Sequence, residues 1–119
     1  MSKNNDPERA LQVVLITAPD LDTGRRIAQR LVDSGIAACV NVVPGVLSIY
    51  RWKGAVEEAG EVLLVAKTVR ARVAELERAI SEVHPYEVPE CVVLEPRAVG
   101  AKYLAWLVGE TRSKRTEPR

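Results

Sequence analysis

The stretch from Ala37 to Thr68 constrains the fold most. Two runs rich in β-branched and aliphatic residues, "AACVNVV" resuming as "VLSIYRW" and then "EVLLVAKT" (Glu61–Thr68), lie on either side of Lys53-Gly54. Such runs, bounded by turn residues, read as strands, and the Lys-Gly junction reads as the tight turn of an antiparallel hairpin. Pro44-Gly45 interrupts the first arm. A proline lacks the N–H a ladder needs, so it predicts an edge position or a bulge. Both arms are long for a chain of 119 residues. Their excess length projects a hairpin with bare edges, which favours pairing with another chain. A homo-oligomer of closed rotational symmetry is therefore expected.

The other elements fall on both sides of that hairpin. "LQVVLITA" (Leu11–Ala18) is short and nearly all apolar, as a strand covered on both faces is. "PDLDTG" follows, where Asp20 or Asp22 can cap a helix with Ile27, Ala28, Leu31 and Val32 as its apolar positions. Ser34-Gly35 ends it, with Gly35 suited to the left-handed position after the helix. Val73, Leu76, Ile80 and Val83 share one face of a second helix, and Glu75, Glu77, Arg78 and Glu82 occupy the other. His84-Pro85 stops it, because the residue before a proline avoids the helical region. "CVVLEP" (Cys91–Pro96) reads as a fourth strand. A last helix gathers Tyr103, Leu104, Leu107 and Val108 on one side, with Tyr103 and Trp106 expected to hold it to the sheet. The order is that of an α+β, ferredoxin-like (βαββαβ) antiparallel sheet, two helices on one face, with an additional C-terminal helix. Residues 1–10 are expected to be a flexible N-terminus, 11–110 the domain, and 111–119 a basic tail. Arg112, Lys114, Arg115 and Arg119 give that tail its charge against Glu117.

Composition narrows the function. Apolar residues make up 47% of the chain, enough for a packed core. Seventeen basic and sixteen acidic residues leave a net charge of +1, which argues against a nucleic-acid face. The ferredoxin-like order also occurs in RNA-binding sheets that stack bases on aromatic residues, but this chain has no Phe and its third strand is aliphatic. No apolar run approaches membrane-spanning length, and the polar opening "MSKNNDPERA" lacks the core of a signal peptide. A cytoplasmic protein with reduced thiols at Cys39 and Cys91 is expected.

Chemistry concentrates in "VHPYEVPE" (Val83–Glu90), which holds the only histidine, His84. Copper, zinc and nickel favour imidazole and thiolate, which makes His84 and Cys39 the candidate ligands, with Glu87 and Glu90 nearby in sequence. No HxxxH or CxxC spacing signals a complete site within one chain. By position, His84 also suits the end of a helix, where an imidazole can bond free carbonyls. A Cys39–His84 nucleophile pair is disfavoured, because Cys39 lies in an apolar strand where free cysteine packs as a small hydrophobe. Cys91 reads as core. The chain is therefore expected not to be an enzyme. Trp52, beside the hairpin turn, reads as an intersubunit anchor or a cleft wall.

Six strings in order carry a resemblance: "TAPD" (Thr17–Asp20), "AACVN" (Ala37–Asn41), "SIYRWKG" (Ser48–Gly54), "KT" (Lys67-Thr68), "HPYEVPE" (His84–Glu90) and "YLAWL" (Tyr103–Leu107). Together they make the chain resemble the CutA family of divalent-cation tolerance proteins over about Val13–Leu107. The resemblance implies a subunit similar to PII signalling proteins, assembled as a homotrimer in the cytosol. It implies tolerance or homeostasis of divalent cations, Cu(II) foremost, by binding rather than catalysis. The ligands proposed for bacterial members fall on Ile16, Val83 and His84 of this sequence, so only His84 keeps a ligand type, and Cys39 of a neighbour is the remaining donor. The PII likeness implies clefts between subunits, with Asn41, Tyr50, Trp52, Lys67, Tyr86 and Glu87 as candidate lining. Lys67 is positioned in that reading to meet a small anionic ligand or Glu87. No glycine-rich phosphate loop supports a nucleotide. Sensing of a small anion and a purely scaffolding trimer are the alternatives to metal handling.

Overall fold

Alternation along the first strand sets the layers. In β1 (Leu11–Ala18), Val14, Ile16 and Ala18 are fully buried while their neighbours Val13, Leu15 and Thr17 are only half-buried. In the computed structural model, which describes residues 6–112, the buried set faces two helices and the other set faces away. The helices are α1 (Leu21–Asp33) and α2 (Val73–Val83), which press Ile27, Leu31, Leu76, Ala79 and Ile80 onto that face. With β2 (Cys39–Trp52), β3 (Ala55–Val69) and β4 (Val92–Leu94), β1 forms one antiparallel sheet in the order β2-β3-β1-β4. The α+β, ferredoxin-like architecture read from the sequence is the one observed.

Several boundaries differ from the sequence reading. β3 begins six residues before Glu61, because the outer hairpin is held by its backbone ladder to β2 rather than by an apolar pattern. Lys53 and Gly54 turn the chain with φ of 50° and 83°, the left-handed pair that matches strand twist in a two-residue hairpin. β4 is only Val92–Leu94 where Cys91–Pro96 was expected; Pro96 has no N–H with which to continue the ladder. Val32 is exposed, because the buried stripe of α1 runs through Thr23, Gly24, Ile27, Ala28 and Leu31. Asp20 supplies the N-cap, its Oδ1 accepting from the Thr23 N–H at 2.8 Å. That bond holds the Asp20 carboxyl below the usual carboxylate range.

The second face of the sheet is covered at one end only. α3 (Ala101–Glu110) buries Leu107 against Leu11, Ala38 and Val69. Trp106 does not hold it there: it is 45% exposed and lies against Tyr103, ring centroids 5.6 Å apart, whereas Tyr103, 41% exposed, meets the sheet at Cys39 of β2. Leu104 and Val108 are the side chains that flank Leu107 in the contact. Residues 1–5 of the segment expected to be flexible, and Lys114, Arg115, Glu117 and Arg119 of the expected tail, lie outside the described residues. Residues 7–10 are tied down: the Ala71 N–H donates to Pro7 O at 3.0 Å and the Arg70 N–H to Ala10 O at 2.8 Å. Among the described residues, no helix is long and apolar enough to cross a membrane.

Gly24 lets α1 approach the sheet. A Cβ there would sit 2.9 Å from Val62 Cγ2 and 3.3 Å from Leu64 Cδ2, both on buried side chains of β3. Alanine in a helix interior is favoured over glycine by about 1 kcal/mol, but overpacking a stiff β-branched neighbour costs about 1–3 kcal/mol. Gly24→Ala is therefore expected to lower stability by about 1 kcal/mol in urea unfolding, rather than raise it.

Candidate functional site

His84 is the first non-helical residue after α2, with φ −79° and ψ 135°, and its own N–H closes the helix on Ile80 O at 2.9 Å. Its ring is fully engaged. Nε2 lies 2.7 Å from Thr17 O, and the Tyr86 N–H reaches Nδ1 at 3.1 Å. A carbonyl can only accept and an amide N–H can only donate, so Nε2 carries the hydrogen and Nδ1 the lone pair. The imidazole thus staples the loop after α2 to the end of β1. A metal would have to displace one of these two bonds.

Two residues on, the Tyr86 hydroxyl donates to Glu61 Oε2 of β3 at 2.5 Å, and its ring lies 4.7 Å from the His84 ring. Burial, then the hydrogen bond and the charge of Glu61, push the Tyr86 phenol well above its ordinary range. The loop so pinned forms one wall of a cleft of about 590 Å³. Tyr86, Glu87 and Glu90 line it from the loop, Glu61 from β3, and Tyr50 and Trp52 from the outer half of β2. Thr17, Ser48, Ile49 and Val88 complete the lining, which contains no Lys, Arg or His.

The bulge at Pro44-Gly45 decides which side chains reach this cleft. Val43 pairs with Leu63 but Val46 pairs with Glu61, so one extra residue is absorbed in β2, with Gly45 at φ 82°. Side chains alternate along a strand, so a one-residue shift exchanges its faces. Beyond the bulge, Ser48, Tyr50 and Trp52 pair with Ala59, Glu57 and Ala55, and so share the face of Glu61. With an unbroken ladder they would have pointed to the opposite face.

Of the residues singled out from the sequence, Tyr50, Trp52, Tyr86 and Glu87 come together here. Asn41 and Lys67 do not: the Lys67 ammonium donates to Asn41 Oδ1 across β2 and β3, rather than meeting Glu87. Cys39 pairs in register with Lys67, whereas Thr17, beneath His84, pairs with Leu63. Four residues of β3 separate those rungs, about 13 Å along a strand, so Cys39 and His84 do not meet within one chain. Cys39 lies instead against Tyr103, whose phenol is raised by burial and then by the nearby thiol. Cys91 is half-buried, and burial followed by Glu77 and Glu90 pushes its thiol up, away from the thiolate a metal requires. Ile16 is fully buried under the helices. Among the described residues, no three His, Cys, Asp or Glu side chains converge to hold a metal ion. Thr17 and Glu61, which fix the loop, were not singled out from the sequence; each acts through a partner remote in the chain, and no local motif marks them.

The sequence and the overall fold have counterparts in known proteins. Residues 12–110 match the CutA1 divalent ion tolerance protein family. The chain belongs to that family. It is 47% identical over 96 residues to the divalent-cation tolerance protein CutA of Thermus thermophilus, covering 81% of this chain and 93% of that one. It is 39% identical to the chloroplastic CutA of Arabidopsis thaliana, over 85% of this chain but only 56% of that longer protein. Among solved structures, the divalent cation tolerance protein from Thermus thermophilus superposes with a TM-score of 0.84 at 45% identity, covering 86% of this chain and 99% of that one. CutA1 from Oryza sativa superposes at 0.85 with 37% identity, covering 88% and 96%.

Two outcomes test the loop geometry. Replacing His84 by Ala removes a donor and an acceptor and leaves Thr17 O and the Tyr86 N–H unpaired, so this CutA protein should lose about 1–3 kcal/mol of stability in urea. Tyr86 has a raised folded pKa, so its contribution to stability is fully present below the free phenol's value near 10 and is lost as pH rises beyond it. Ultraviolet titration at alkaline pH should show a late phenol ionisation that Tyr86→Phe removes.

Proposed function

We propose that this CutA protein supports tolerance of divalent cations, copper foremost, as a cytoplasmic homotrimer that binds the ion at ligands contributed by more than one subunit. The observation that carries the reading is the outer hairpin. Leu47, Ile49 and Val56 are 63%, 62% and 63% exposed there, alongside Tyr50 and Trp52. Apolar exposure of that extent on a long two-stranded projection is stable when another copy covers it. Assembly also answers the ligand count. Cys39 and His84 lie at separate positions of one chain, so a thiol and an imidazole meet only if a neighbour supplies one of them. The mode is binding rather than catalysis, because Cys39 stands rungs away from the imidazole that would activate it and the Cys91 thiol is pushed up by burial.

Sensing of a small anion, the PII-like alternative, has less support. The cleft lining holds three carboxylates and no basic side chain, and Lys67 is bonded elsewhere. A trimeric scaffold without a metal role is the outcome if copper does not bind.

Light scattering should give a trimer mass, and calorimetry of the reduced, metal-free protein with Cu(II) should show sub-micromolar binding at a fixed ratio per trimer. Cys39→Ser and His84→Ala should each weaken it at least about tenfold, the consequence of losing one ligand from a small set. Binding unchanged in both variants, or a monomer that binds copper as tightly, overturns the proposal.

A further inference from the structure

We propose, on the footing of the metal-binding reading of His84, that the ion is taken by Nδ1 and that the 84–91 loop is the element that responds to it. The nitrogen with the free lone pair is the one that holds the loop. Thr17 O lies 2.7 Å from Nε2 and fixes the ring hydrogen there, which leaves the lone pair on Nδ1, 3.1 Å from the Tyr86 N–H. Which imidazole nitrogen takes a metal is set by the bond the other one makes, and a backbone carbonyl under that other nitrogen is a common support of a ligating histidine.

Counting bonds separates the two nitrogens. Binding through Nδ1 keeps the bond to Thr17 O, moves no proton and displaces the Tyr86 N–H alone. Binding through Nε2 sends the hydrogen to Nδ1, where it meets the Tyr86 N–H donor to donor, so both bonds are lost. Nδ1 is also the nitrogen that the loop backbone caps. His84 is only 9% exposed, and the Tyr86 ring lies 4.7 Å from the imidazole. Tyr86 therefore has to withdraw for the ion to bind. Its hydroxyl opposes that movement by donating to Glu61 Oε2 of β3. One residue thus blocks the ligand with its backbone and is tied to the sheet by its side chain. All of these contacts lie within one chain, on buried or half-buried groups. A ligand held in a non-binding state lowers apparent affinity by the fraction of molecules that are competent, so loosening the tie raises affinity. Occupancy in turn frees the loop, because the coupling between ion and loop is reciprocal.

The test uses the full-length protein in its native assembly, with Zn(II) as a diamagnetic probe for NMR and Cu(II) for calorimetry. His84 is the only histidine, so long-range proton–nitrogen spectra of histidine-labelled protein report a single ring. The metal-free protein should carry the hydrogen on Nε2. Saturating Zn(II) should shift Nδ1 and leave that hydrogen in place. The chain has three tyrosines, so labelled tyrosine should give three amide signals. The one missing in Tyr86→Phe should move, and exchange faster with solvent, when Zn(II) is bound. Tyr86→Phe keeps the backbone N–H and cuts the tie to Glu61, so it should bind Cu(II) about twofold to tenfold more tightly, the worth of one net hydrogen bond. Unchanged or weaker affinity in that variant, a ring hydrogen on Nδ1, or a Tyr86 amide unmoved by bound Zn(II) overturns the proposal while metal binding itself stands. Failure of the wild-type protein to bind either ion overturns the metal reading, and this proposal with it.

Discussion

The antiparallel ladder between β2 and β3 is the constraint on which the rest depends. β3 lies between β2 and β1 in the sheet, so every other position in the fold can be referred to it. Its inner half pairs with β1 on one side and β2 on the other, and its Val62, Leu64 and Ala66 enter the core under α1 and α2. Its outer half pairs with β2 alone, and the two helices do not extend over it. The same element is thus a core strand at one end and an exposed ribbon at the other. The transition falls where the bulge in β2 lies.

That bulge links folding to the site. A proline cannot donate to the ladder, and a glycine at positive φ accepts the kink that results. The extra residue reverses the faces of β2, which carries Tyr50 and Trp52 to the side of Glu61. Glu61 in turn receives Tyr86, and His84 anchors the same loop to the end of β1. The cleft is therefore made by three segments, each positioned by reference to β3. His84 serves as a structural staple behind the loop, and the charge of the cleft comes from carboxylates. This arrangement sets the loop's role in holding the cleft against any role of His84 as a ligand.

Much of the fold was legible in the sequence because its signals are local. The period of Val73, Leu76 and Ile80 marks a helix without reference to any other segment, and Asp20 before a helical pattern marks a cap. The outer half of β3 was not legible. "AVEEAG" carries no alternating apolar pattern and is a strand because β2 lies beside it. The placement of Trp106 was misjudged for a related reason. Size and apolarity suggested burial, but the face of α3 that meets the sheet is set by Leu104, Leu107 and Val108.

The candidate site divides along the same line. The sequence by itself determined the elements, their order, the turn at Lys53-Gly54 and the presence of an irregularity at Pro44-Gly45. Each is written in residue types a few positions apart, where sterics and periodicity act. Only the tertiary structure decided what the site residues touch. Thr17 O is 67 positions from His84, Glu61 is 25 from Tyr86, and Asn41 is 26 from Lys67. Contacts at such separations depend on strand register and loop closure, and a shift of one residue in register reverses which side chains meet.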